Sequence, residues 1–198
     1  MAPASSRLPE SLEGFDNVWF PYGQLKSSGR PPVAMSTEGV RIHLDDGRTL
    51  IDGVGSWWTA VHGYNHPTLL AAVQRQLEAM PHVMLGGIVH EPVLRLAERL
   101  ARMTPGALTK TFFSESGSVA VEVAMKIAVQ YWRNKFDQKR TKFISFTGGY
   151  HGDTFATMSI CDPDKGLHSL FKGSLAEQHV VDLPYDNAQA EKIADLAT

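Results

Sequence analysis

The sequence predicts an α/β fold, and three observations carry that expectation. Residues 110–146 read as strand, turn, helix and strand, the pattern of a βαβ unit. Between Val40 and Ile51 apolar residues alternate on both sides of an Asp-Gly pair, the short-range signature of an antiparallel hairpin. The 198 residues are 43% hydrophobic and 20% charged, which is enough apolar material for a sizeable core and excludes disorder or collagen-like order.

In chain order, the first fifteen or so residues are rich in Pro, Ser and Glu and predict a loose arm, followed by aromatic Trp19, Phe20 and Tyr22 around Pro21. Val40, Ile42 and Leu44 precede the turn Asp45-Asp46-Gly47-Arg48, and Leu50 and Ile51 follow it. Residues 53–64 are Gly- and Trp-rich and read as irregular. Pro67 then opens a helix whose Leu70, Val73, Leu77 and Met80 recur at spacings of three and four. A second helix is predicted over 92–103, with Glu91 and Arg95 four residues apart and Thr104-Pro105-Gly106 as its stop. Residues 110–113 predict a strand, 114–118 a turn, 119–136 a long helix, 142–146 a strand and 179–183 a third strand. The long helix is apolar on nearly every face, so it is expected to pack in the middle of something larger.

Net charge is −2, with Lys and Arg scattered, which argues against nucleic acid as a partner. No basic, apolar leader and no uninterrupted apolar span is present, so neither secretion nor a membrane is expected. The single Cys161 suits a reducing, cytoplasmic setting. The histidines show no metal-ligand spacing with Cys or carboxylates, so no metal is expected.

Chemistry has three candidate places. Glu115-Ser116-Gly117-Ser118 joins a predicted strand end to a helix start, where unpaired backbone N–H groups favour an anion such as phosphate; a plain serine cap is the commoner reading of such a turn. Gly148-Gly149-Tyr150-His151-Gly152 follows a strand expected to be parallel to the first, so it should share the same sheet rim. There Tyr150 can stack on a flat ring and His151 can exchange a proton with it, or both can simply fill a turn. Gly55-Ser56-Trp57-Trp58 and the aromatic cluster at 19–22 can wall a pocket or serve as core. No nucleophile elbow or hydrolytic triad is visible.

Taken together and in this order, Trp19 to Tyr22, Asp46-Gly47-Arg48, Ser56-Trp57-Trp58, His62 to Pro67, His82-Val83-Met84, Ser116-Gly117-Ser118, Tyr150-His151-Gly152-Asp153-Thr154 and Cys161-Asp162-Pro163 resemble the class III pyridoxal phosphate (PLP) aminotransferases. The resemblance runs from Trp19 to about Leu175. Ser-Gly-Ser and Tyr-His-Gly are general to that family. The Ser56 to Trp58 and His62 to Pro67 segments, with Cys161 to Pro163, resemble its biotin-synthesis branch in particular.

The resemblance implies a fold-type I (aspartate aminotransferase-like) transferase. Residues 1–60 would form the arm and hairpin of the small domain, and 61–198 the first half of a three-layer α/β/α PLP-binding domain. It implies PLP as cofactor, with Gly117 and Ser118 at the phosphate, Tyr150 against the pyridine ring and the substrate, and His151 as support. Tyr22, Trp57 and Trp58 would line the substrate pocket, Tyr22 touching the adenine of S-adenosylmethionine. The implied reaction moves the amino group of S-adenosylmethionine to 8-amino-7-oxononanoate in a homodimer. The family's Schiff-base lysine and its pyridinium-pairing aspartate match no position here, so no catalytic residue is assigned and the chain alone is expected to be inactive, as the N-terminal part of such an enzyme. Of the nine lysines, Lys172 has the least unsuitable setting but no family counterpart, and Asp182 has none either. Two other readings stay open: a different class III omega-aminotransferase, and a noncatalytic binding or dimerising fragment.

Overall fold

A computed structural model describes residues 13–27, 29–164 and 166–196. Most of the expected N-terminal arm lies outside them. The described chain gathers into two compact units, one extending to Glu91 and one beginning at Pro92.

The first unit is built on a three-stranded antiparallel sheet, β1 (Ala34–Glu38), β2 (Arg41–Leu44) and β3 (Thr49–Ile51), in that spatial order. The expected hairpin is β2–β3, in register Arg41 to Ile51, Ile42 to Leu50 and His43 to Thr49. Its turn closes as Leu44 N–H donates to Arg48 O at 2.9 Å, with Gly47 at φ 84° supplying the left-handed residue. The Asp46 carboxylate accepts from Arg48 N and Nε; the Arg48 backbone N–H, then its guanidinium, hold its pKa below the usual range. The third strand, β1, adds Thr37 opposite Ile42 and Glu38 opposite Arg41, with a bulge near Ser36.

After the sheet comes α1 (Gly55–Trp58), a single turn in which Gly55, Ser56, Trp57 and Trp58 all have positive φ. Helix α2 (Pro67–Ala79) starts with proline at its first position, as expected. Helix α3 (Glu91–Met103) ends at Thr104, whose hydroxyl donates to Leu108 O at 2.8 Å and has Leu100 O within reach at 3.1 Å.

In the second unit, α4 (Gly117–Asn134) is followed by β4 (Ile144–Phe146), α5 (Phe155–Ser159), β5 (His179–Val181) and α6 (Asn187–Asp195). Strands β4 and β5 pair in parallel, Ile144 beside His179 and Phe146 beside Val181, and the crossover between them carries α5. The core lies at the end of α5 and just beyond it, where Thr157, Met158, Ile160, Cys161 and Asp162 are all buried.

One expectation fails. Residues 110–113 form no strand, and Phe112 is exposed. A strand exists only through a ladder partner, and among the described residues β4 pairs with β5 alone. Helix α4, expected to pack in the middle of something larger, buries none of its residues completely among the described residues and packs on α5. No helix of the described residues is long and apolar enough to cross a membrane.

Candidate cofactor and substrate site

Helix α4 begins because Ser116, extended at φ −152°, turns its hydroxyl back to accept from Val119 N–H at 3.1 Å. That satisfies one of the first-turn donors and leaves the amides of Gly117 and Ser118 at the positive end of the helix. Ser116 is thus the serine cap, and Gly117 and Ser118 form the first turn of the helix. The Ser118 hydroxyl instead accepts from Asp153 N–H at 3.0 Å. This bond joins the helix start to the loop after β4.

Gly152 makes that junction sterically possible. A Cβ on it would stand 2.5 Å from Ser118 Oγ and 2.9 Å from Ser118 Cα, and its φ of 135° is one that side chains resist. One turn of α4 deeper, the Glu122 carboxylate accepts from Thr154 Oγ1 at 2.6 Å and Ala156 N–H at 3.2 Å, holding the start of α5 against α4.

The loop itself is fixed from below. Asp162, 3% exposed, accepts from Gly148 N–H at 2.8 Å and Asp164 N–H at 2.9 Å, and Cys161 Sγ lies 3.3 Å from His151 N. The His151 ring tucks beneath Gly149, where a Cβ would meet Nε2 at 2.8 Å, and that nitrogen is buried without a hydrogen-bond partner among the described residues. Tyr150 points the other way and is 58% exposed; its hydroxyl donates to Asp153 Oδ2 at 2.8 Å and its ring stacks on His168. The start of α4, with Gly117 and Ser118, and the loop carrying Tyr150 and His151 are thereby adjacent.

In the first unit, the rings of Tyr22 and Trp57 meet edge to face at 6.0 Å between centroids. Trp58 is exposed beside them in sequence. The left-handed turn that carries both tryptophans is tied down by Asp52, whose Oδ2 accepts from Ser56 Oγ at 3.0 Å and from Tyr64 Oη at 2.5 Å. The Tyr64 hydrogen bond holds the Asp52 carboxyl below its usual range, and the same bond raises Tyr64. Tyr64 is itself anchored by a backbone bridge to Gly39.

Sequence reasoning missed three residues of this arrangement. Asp153 and Asp162 sat inside quoted motifs but carried no stated role. His168 was visible only as one histidine among eight, with no spacing to connect it to Tyr150. The lysine singled out, Lys172, is taken by an ion pair with Asp164 at 2.5 Å, and Asp182 accepts from Thr147 Oγ1 at 2.9 Å.

Comparison with known proteins agrees with this geometry. The sequence pattern of the aminotransferase class-III family matches residues 26–197. Adenosylmethionine-8-amino-7-oxononanoate aminotransferase of Corynebacterium glutamicum is 47% identical over 162 residues, covering 82% of this chain and 38% of that protein. The protein of the same name from Mycobacterium leprae is 46% identical over 187 residues, covering 90% of this chain and 43% of the relative. The chain thus spans about two fifths of the length of the curated relatives it matches.

Among solved structures, adenosylmethionine-8-amino-7-oxononanoate aminotransferase from Methanocaldococcus jannaschii superposes with a TM-score of 0.82 at 33% identity, over 92% of this chain and 42% of that one. A PLP-bound amine transaminase from an uncultivated Pseudomonas species gives 0.75 at 32%, over 91% of this chain and 45% of that one. The mixed α/β architecture is accordingly the fold-type I arrangement of these transaminases. The family match over residues 26–197, with relatives at 46–47% identity, shows that the chain belongs to the class-III aminotransferases.

Proposed function

We propose that this chain forms the phosphate- and ring-holding part of an enzyme of biotin synthesis that transfers the amino group of S-adenosylmethionine to 8-amino-7-oxononanoate, giving 7,8-diaminononanoate. The observation that carries the reading is the Ser118–Gly152–Asp153 junction, which sets a helix start and an aromatic loop at one place. The names of relatives at 46–47% identity support the choice of substrates.

The residues fit PLP. Gly117 and Ser118 would receive its phosphate at the helix start, where the backbone dipoles favour negative charge. The buried, unpartnered His151 Nε2 lies directly behind the loop and would support the ring from that side. Tyr150 would offer its exposed face to the ring and the substrate, while Tyr22, Trp57 and Trp58 would line the substrate pocket. When bound, PLP supplies the electron sink for amino transfer. The protein's residues here bind and orient; none of the lysines of this chain is assigned the covalent role. Residues 1–60 would belong to the small domain, and the complete enzyme would be a cytoplasmic homodimer.

The test is amino transfer by the complete gene product containing these residues, supplied with PLP, S-adenosylmethionine and 8-amino-7-oxononanoate. Diaminononanoate is the expected product. Transfer from a simple aliphatic amine but not from S-adenosylmethionine would instead identify another class III transaminase, and no transfer from any donor would overturn the reading.

A further inference from the structure

We propose that His168 is a positioning residue of this site, a buried platform on which the Tyr150 ring is stacked and held ready for its ligand. The proposal rests on the reading that Tyr150 faces cofactor and substrate.

The Tyr150 hydroxyl donates to Asp153 Oδ2 at 2.8 Å. His168 adds a contact to the ring itself. Its ring lies 6.0 Å from that of Tyr150 at an interplanar angle of 28°, a stacked pair, and its side chain is only 10% exposed. Its Nε2 is buried, makes no hydrogen bond of good geometry and stands 3.3 Å from Asp153 Oδ1. The two oxygens of Asp153 are thereby divided, Oδ2 to the Tyr150 hydroxyl and Oδ1 toward His168. His168 thus meets Tyr150 twice, by its ring face and through Asp153.

The backbone secures the platform. Gly166, close under Asp162 O, and the bond from Phe171 N–H to His168 O fix the chain on either side of His168. A hollow of about 280 Å³ remains between Gly148–Tyr150 and Leu167–His168, bordered by Cys161 and Asp162. Fixing the ring before the ligand arrives removes an ordering cost from binding and leaves one geometry for the substrate.

The experiment uses the complete enzyme with PLP and compares His168→Leu, which keeps apolar bulk but removes the ring, with His168→Phe, which keeps a ring. The readouts are the visible circular dichroism of the bound cofactor, KM against kcat for the amino donor, and Tm. For the Leu variant we expect a changed dichroic band per bound PLP and a KM raised about three- to tenfold, the range an aromatic pair supplies. The Phe variant should recover most of both. Should the Leu variant not yield holoenzyme, His168→Gln gives the same contrast. Wild-type dichroism and KM in the ringless variant would overturn the proposal, even with a lowered Tm, and so would a Phe variant no better than the ringless one. If the wild-type enzyme binds PLP but does not use S-adenosylmethionine, the substrate assignment fails, while the dichroic comparison still decides the role of His168.

Discussion

At the scale of single residues, the site depends on what is missing from Gly152. Its Cα sits where any larger residue would drive a carbon into Ser118, and its φ of 135° adds backbone strain to the clash. Gly152→Ala should therefore separate the Tyr150 loop from the start of α4, at a cost of roughly 1–3 kcal/mol in stability. The complete enzyme carrying it should also lose affinity for PLP, read by titrating the apoprotein and following the visible absorbance. Unchanged affinity and Tm would mean that the junction is not part of the cofactor's seat. The turn of Ser56, Trp57 and Trp58 shows the opposite use of left-handed backbone. There three residues with side chains hold positive φ, and Asp52 with Tyr64 supplies the bonds that keep them so.

At the scale of elements, the joint between α4 and α5 sets the height of the loop above the helix start. Glu122 makes that joint from the side of α4, and it accepts from both a hydroxyl and a backbone N–H. Glu122→Ala leaves the Ala156 donor without its partner in a half-buried place and should cost about 1–3 kcal/mol, measured by denaturant unfolding of the holoenzyme. The elements differ in how legible they are in the sequence, for physical reasons. Strands β2 and β3 are plain because alternation and an Asp-Gly turn are local signals, and α2 is plain because Pro67 can only begin a helix. Strand β1, Ala-Met-Ser-Thr-Glu, alternates in exposure but not in apolar character, so its pattern is silent. Residues 110–113 have the composition of a strand without a partner to make them one. The Ser-Gly-Ser and Tyr-His-Gly segments declare themselves by loop chemistry, whereas His168 reaches Tyr150 only through the tertiary path of the crossover.

At the scale of the whole molecule, apolar surface is the conspicuous property. Ile127 and Tyr131 of α4 are more than half exposed, and Phe136 just beyond it is 94% exposed. Such faces mark contact surfaces. Our proposal assigns the covalent chemistry to no lysine of this chain, which spans about two fifths of the relatives' length. Borohydride reduction of the complete enzyme with PLP, followed by peptide mapping, should accordingly put the pyridoxyl-lysine outside residues 1–198. A stoichiometric adduct on a lysine within them would refute that assignment.

The parallel pairing of β4 with β5 has a kinetic consequence. Every residue from Thr147 to Gln178 lies in the segment that must close before Ile144 can meet His179, and that segment contains Tyr150, His151, Gly152 and His168. Closing it costs roughly 3 kcal/mol of chain entropy before any ladder bond repays it, whereas the β2–β3 hairpin closes over a few residues. The hairpin can form early, as the chain leaves the ribosome; the loop of Tyr150 takes shape only in the later closure that also makes the sheet, so a ligand bridging Ser118 and Tyr150 would act as a folding template as well as a cofactor.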